Sequence, residues 1–173
     1  DLSSVTPRGG TGEMRFTGIE ILEPTGETKT MTRTGDAVTI RFRYRAHQII
    51  PNVSFGFRLY SELGTLVSNA SSAFSGVDIR RVLPGDGFVD VHIDALNLMP
   101  ARYHVSLRMV GLQGHLYDGL EHCVQLEVMS SDAYGSGQSL DHRHGIVFFP
   151  QRWTLRGVRS EGGVSWESPE TDG

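Results

Sequence analysis

The chain has 173 residues, enough for one domain with a sizeable hydrophobic core. Its 16 basic and 20 acidic residues give a formal net charge of -4, with no basic run longer than Arg80-Arg81, which excludes the basic stripe that a nucleic-acid partner demands. Cys123 is the only cysteine, so no internal disulfide is expected, and no apolar run approaches the ~20 residues of a membrane-spanning helix.

Apolar residues recur with period two almost throughout, which predicts strands. Residues 13–22 form the first, with Gly18 at a bulge or kink. Residues 27–31 extend it briefly, and Thr34-Gly35-Asp36 is a turn signal. Over 37–46, Val38, Ile40, Phe42 and Tyr44 share one face, and Thr39, Arg41, Arg43 and Arg45 share the other. Residues 52–61 turn Val53, Phe55, Phe57 and Leu59 inward. They return through Glu62-Leu63-Gly64 to 65–69 as a hairpin. Residues 70–76 are small and polar and read as loop. Pro84-Gly85-Asp86-Gly87 reads as a turn before a strand over 88–94, and Leu96 to Pro100 as a corner. A strand over 103–110 faces Tyr103, Val105, Leu107 and Met109 inward. After a turn at 111–114, Leu116-Tyr117-Asp118 and a strand over 121–129 complete the next hairpin. A Gly/Ser-rich loop over 130–139 leads to a last apolar strand over 145–155. This divides the chain into a linker (1–11), a folded domain (12–155) and a flexible polar tail (156–173). About eight short strands between Gly/Pro/Asp turns predict an all-β, immunoglobulin-like antiparallel β-sandwich.

Catalytic signatures are missing. There is no phosphate-binding loop, no Gly-x-Ser-x-Gly elbow and no His-Glu-x-x-His helix. Cys123 and His122 adjoin on a strand and so point to opposite faces, which argues against a nucleophile–base pair. Asp90 and Asp94 share a face but lie roughly 13 Å apart by strand rise, too far for a retaining carboxylate pair. His142 and His144 share a face if extended, but two ligands do not make a metal site. No catalytic residue, metal or cofactor is expected, and the chain itself is not expected to be an enzyme.

The outward faces carry more. Strands 52–61, 103–110 and 121–129 would be neighbours in an immunoglobulin-like order. Their outward residues would then be Ser54, Arg58, Tyr60, His104, Ser106, Arg108, Glu121, Gln125 and Glu127. Hydroxyls, guanidinium forks and an aromatic plate are the groups a flat sugar needs. Arg58, Tyr60, His104, Arg108 and Gln125 are the expected contact residues, with Tyr117-Asp118 and Asn69 as weaker candidates. An ordinary polar sheet face turned to water accounts for the same composition, and a one-residue slip in register would turn every contact residue inward.

Several pieces follow one another in a familiar order. Gly12-Glu13 opens the first strand, and Gly35 precedes the strand that ends at Tyr44. The hairpin PNVSFGFRLYSELGTLVSNASS follows, then VDVHIDALNLMPARYHVSLRM, then Tyr117-Asp118 before a strand ending at Val128, and finally GIVFFPQRW. This series resembles the carbohydrate-binding C-terminal domain of Wzt-type ABC transporter ATPases, which export O-antigen polysaccharide. The resemblance covers residues 12–155. Pro100-Ala101-Arg102-Tyr103 departs from the family's Pro-Gly-x-Tyr corner, and Asn69-Ala70 from its Asn-Thr.

The resemblance implies non-catalytic recognition of an undecaprenyl-linked O-polysaccharide glycan, often at a modified non-reducing end. It implies attachment to an ABC transporter ATPase with its membrane subunits, on the cytoplasmic side of the inner membrane. It also implies a homodimer, which exchange of the C-terminal strand around Ile146 to Phe149 would build. Two other functions fit the residues: a structural or dimerisation sandwich, and an accessory domain of a polysaccharide-processing enzyme.

Overall fold

A computed structural model gives the structure and describes residues 1–154. In chain order the strands are β1 (Arg8–Gly9), β2 (Met14–Leu22), β3 (Thr32–Arg33), β4 (Val38–Ala46), β5 (Ile50–Pro51), β6 (Ser54–Ser61), β7 (Leu66–Ser71), β8 (Arg81–Val82), β9 (Gly85–Ile93), β10 (Ala101–Val110) and β11 (Leu116–Met129). Alternation decides the long ones. Buried Phe55, Phe57 and Leu59 in β6 face the same way as buried Tyr103, Val105, Leu107 and Met109 in β10. The larger sheet runs β1-β11-β10-β6-β7, with β3 pairing in parallel with β11; β2-β4-β9 form the smaller sheet. Every other pairing is antiparallel. Strands 6, 10 and 11 are therefore neighbours, as the sequence predicts.

Aromatic side chains lock the two sheets together. Phe16 of β2 meets Phe55 of β6 with ring centroids 6.3 Å apart, and Phe42 of β4 meets Phe57 at 5.9 Å. Such pairs bury large apolar areas and prefer tilted or edge-on geometry. The expected kink at Gly18 is a register shift between Phe16 and Gly18 in the β2–β4 pairing.

Several expectations are corrected. Residues 27–31 form no strand, only a bridge between Leu22 and Thr28. The Pro84-Gly87 segment is not a separate turn, because β9 already begins at Gly85. Gly87 is required for another reason: a Cβ there would overlap the Tyr44 ring on the neighbouring strand. Leu116-Tyr117-Asp118 and 121–129 are one fourteen-residue strand. Residues 1–11 hold β1, and Leu2 is buried in the core with its amide on Thr17 O. Over its described residues, 145–154, the apolar run expected as a strand over 145–155 forms only an isolated bridge. It lies against the 96–99 corner through a Leu98–Val147 bridge, with Phe148 buried and Phe149 and Trp153 exposed. Residues 155–173 lie outside the described residues.

Two polar devices hold the sandwich in register. Asp118 is fully buried, and its Oδ2 accepts the Phe16 amide at 2.8 Å, linking β11 to β2. Arg8 Nε lies 2.8 Å from Oδ1, an ion contact outside hydrogen-bond alignment, and Arg15 approaches the same oxygen at 3.6 Å. Burial pushes the Asp118 carboxyl above its ordinary pKa, while the Phe16 amide and the two arginines oppose that. The second device is Tyr103. Its hydroxyl donates to Met99 O at 2.7 Å and lies 3.1 Å from Ile146 O, bracing the corner that leads into β10. The corner forms with Ala101 and Arg102 outside the positive-φ region, so it needs no glycine.

Asp118→Ala leaves Arg8 Nε and the Phe16 amide buried without a partner. Urea unfolding is expected to show a loss of about 3–5 kcal/mol. Tyr103→Phe should lose roughly 0.5–1.5 kcal/mol.

Candidate functional site

Register fixes which side chains share the outward face of the larger sheet. Across β10 and β6, His104 opposes Tyr60, Ser106 opposes Arg58, and Arg108 opposes Gly56. Across β10 and β11, His104 opposes Gln125 and Arg108 opposes Gly119. Arg58 in turn opposes Asn69 of β7. The structure thus gathers Arg58, Tyr60, His104, Arg108 and Gln125 on one face, as a two-residue period requires.

One residue on this face escaped the sequence reading. Val105 pairs with Val124 and Leu107 with Leu120, so the three residues 121–123 oppose Ser106 alone. The surplus leaves the ladder as a bulge. His122 sits in it with φ of 47° and is exposed. By alternation with Leu120 and Val124 it would face the core, and the bulge turns it outward. Its ring meets Tyr60 edge-on at 4.9 Å and His104 at 5.5 Å. Ser106 is the cost: it is fully buried beneath the bulge, its Oγ accepting the His122 amide at 2.8 Å, and it is unavailable to a ligand. The signal available in the sequence was a lone polar residue at an inward position of an apolar run.

Beside the Tyr60–His104–His122 cluster, a groove of about 240 Å³ crosses β7, β6 and β10. Arg58, Asn69 and Arg108 line it, and Phe74, 75 % exposed, stands in the loop after β7. Gly56 lies in the groove between Arg108 on one neighbouring strand and Ser71 on the other. A Cβ at Gly56 would come within 3.0 Å of Ala70 O.

The outward arginines of β4 differ in their partners from Arg58 and Arg108 of the larger sheet. On the smaller sheet Arg41, Arg43 and Arg45 each grip a carboxylate with both fork nitrogens: Asp90 at 2.7 Å, Glu20 at 2.6 and 3.1 Å, and Asp86 at 2.7 and 2.8 Å. These bonds hold all three carboxyl groups below the ordinary range. On the larger sheet Arg58 makes no ion pair among the described residues. Among those residues Arg108 reaches no nearer to a carboxylate than Glu121 at 4.0 Å, and its Nε is buried without an acceptor.

Other sequence candidates fall elsewhere. Asp118 and Tyr117 are buried, so neither stands at an exposed hairpin tip. Asp90, weighed as a hydrolytic carboxylate, is engaged by Arg41. Burial pushes the Cys123 thiol up to about 11, which leaves it inert near neutral pH. His142–His144 form a 3-10 turn capped by Asp141, not an extended pair, and no group of three or more potential metal ligands occurs among the described residues.

The family described as "Wzt C-terminal domain" matches residues 5–149. The chain belongs to the Wzt C-terminal domain family. That family is associated with O-antigen ABC transporters. Among solved structures, a crystal structure of the C-terminal domain of Wzt aligns with TM-score 0.73 at 11% identity, covering 87% of this chain and 88% of that one. It establishes a common fold. The β-glucuronidase of Bacteroides uniformis aligns with TM-score 0.42 at 14% identity, over 60% of this chain and 13% of that one. A putative β-galactosidase of Bacteroides fragilis gives 0.38 at 14% identity, over 68% and 17%. Likeness at those scores carries no argument. No curated protein matches the chain in sequence.

The bulge generates a stability prediction. An L-residue at φ near +50° is strained, and a β-branched one most of all. His122→Val is expected to lose about 1–2 kcal/mol by chemical denaturation, whereas His122→Gly should keep full stability while removing the ring from the face.

Proposed function

We propose that this domain binds O-antigen polysaccharide on the outward face of its larger sheet, without catalysis, and so couples glycan recognition to export by an ABC transporter. The observation that carries the reading is the division of the arginines. Those of β4 are held by carboxylates, while Arg58 and Arg108 stand beside a groove with donors to offer. Tyr60, His104 and Gln125 extend the donor and acceptor surface along the same face. Guanidinium forks, an amide and aromatic rings suit a ring of hydroxyls with an apolar C–H side. In this reading the domain works beside the transporter's nucleotide-binding and membrane subunits, at the cytoplasmic face of the inner membrane.

A homodimer through the C-terminal segment belongs to the same reading. Phe149 and Trp153 are 72 % and 77 % exposed, next to half-exposed Ile146 and Val147, an apolar surface that a second copy would cover. Two linked sites would raise the avidity for a repetitive glycan. The same patch would also serve a purely structural dimer, which is the competing function.

Calorimetric titration with O-polysaccharide from the protein's own source, beside one of unrelated serotype, separates these. Selective binding is expected. Arg58→Ala or Tyr60→Ala should weaken it roughly 10- to 100-fold, the range for losing a charged hydrogen bond or a packed aromatic. Arg43→Ala on the opposite sheet should leave affinity unchanged. A folded dimer that takes up neither glycan would assign the domain to structure alone.

A further inference from the structure

The groove between β7, β6 and β10 has a charge that neutral sugars do not require. Arg58 and Arg108 sit diagonally across neighbouring strands on one face, since Arg58 opposes Ser106 and Arg108 opposes Gly56. Diagonal neighbours in a sheet lie roughly 7–8 Å apart, close enough for like charges to repel and for one small anion to touch both. In a chain with 20 acidic residues, the smaller sheet gives every outward arginine of β4 a bidentate carboxylate. Among the described residues, Glu121, 4.0 Å from Arg108 Nε, is the one carboxylate within ion-pair distance of either guanidinium, and that Nε is buried with no acceptor. Gly56 keeps the ground between them open, because any side chain there would project into the groove. Asn69 opposes Arg58 with a further amide, and Phe74 offers an uncovered ring at the rim. A volume of about 240 Å³ is below the roughly 300–1,000 Å³ of a drug-sized pocket, so it suits one ring rather than a chain.

We propose that the sugar taken by this groove bears an oxyanion, a carboxylate or a phosphate, held between Arg58 and Arg108 with the ring edge against Phe74. The proposal rests on reading the outward face as a glycan site and adds the chemical class of the residue recognised. Guanidinium forks bind carboxylate and phosphate with two parallel hydrogen bonds, so either anion satisfies the geometry. Glu121 acts against the ligand: it competes for Arg108 and repels an incoming anion.

The test is an amide-resolved NMR titration of this chain with sodium glucuronate, glucose 1-phosphate and glucose, run beside the intact O-polysaccharide. Saturable shifts at Gly56, Asn69, Phe74 and Arg108 are expected with an acidic sugar, and at least tenfold weaker binding with glucose. Raising salt from 20 to 200 mM should weaken the acidic sugar severalfold. Arg58→Gln and Arg108→Gln should each abolish the shifts, with the rest of the spectrum showing an intact fold. Glu121→Gln should tighten binding severalfold, which a merely structural role for the arginines would not produce. The tighter of the two acidic probes identifies the anion. Glucose binding as well as the acids, or shifts confined to another surface, would overturn the proposal. Silence from both acids while the O-polysaccharide binds would overturn it and leave the glycan reading standing. Acidic sugars that bind the groove while the polysaccharide does not would support the oxyanion site and remove the O-antigen reading.

Discussion

The Asp118 carboxylate pins the two sheets to each other. It is buried in an apolar sandwich, where a charge survives only among donors. The Phe16 amide comes from the smaller sheet, and Arg8 from the strand bordering β11. Phe16 O also accepts Arg8 Nη2 at 2.7 Å, so the same backbone unit is held from both sides. The first half of β11 therefore cannot slide. Its second half is fixed equally firmly by Leu126 and Val128 in the core. Between these anchors the strand has more residues than β10 can pair, and the surplus must leave the ladder. It leaves outward, because Leu107, Val105 and their neighbours fill the inside. The exposed His122, the buried Ser106 and the Tyr60–His104–His122 cluster all follow from that count.

Much of the fold was legible because burial on one face writes a period of two into the sequence. The long strands β2, β4, β6 and β10 were read within a few residues, and the outward set Arg58, Tyr60, His104, Arg108 and Gln125 falls on one face. The bulge was not legible by alternation. Two surplus residues leave parity unchanged, so Leu120, Val124, Leu126 and Val128 keep one unbroken rhythm across it. Asp118 was misplaced for a related reason. A polar residue beside a turn signal reads as exposed, and nothing local announces that Phe16, about a hundred residues earlier, supplies its donor.

The C-terminal run shows the opposite failure. Ile146, Val147, Phe148 and Phe149 have strand-like composition, but a strand needs a partner edge. Among the described residues, the segment 146–149 makes backbone-to-backbone contacts with another part of the fold only at Asn97, Leu98 and Met99, and of its four side chains Phe148 alone is buried. Tyr134 fastens it, donating to Phe149 O at 2.8 Å and packing on the Phe148 ring, so the Gly/Ser-rich loop is a tether on this segment. Phe74 was missed because a lone aromatic in an Ala/Ser-rich loop has no period to betray it. Its exposure beside a groove is a property of the tertiary fold.

Arginine at alternate positions of a strand reads identically whether its partner is a neighbouring carboxylate or a ligand. Arg41, Arg43 and Arg45 on the one hand, and Arg58 and Arg108 on the other, all sit at outward positions of apolar-alternating strands, and neither propensity nor hydropathy tells their partners apart. What separates them is the composition of the strand across the ladder. Opposite Arg41 and Arg45 stand Asp90 and Asp86, and Glu20 lies within reach of Arg43. Opposite Arg58 stand Ser106 and Asn69, and opposite Arg108 stand Gly56 and Gly119. A cross-strand carboxylate satisfies a fork and makes a stable, inert face. A cross-strand glycine leaves room above it, but Arg43 opposes Gly18 and still takes Glu20, so a fork stays open only where no carboxylate stands diagonally within reach either. In the proposed reading, the openness of Arg58 and Arg108 to a ligand would depend on the small, uncharged residues paired against them and on the lack of a close carboxylate, and both are visible only once the register is known.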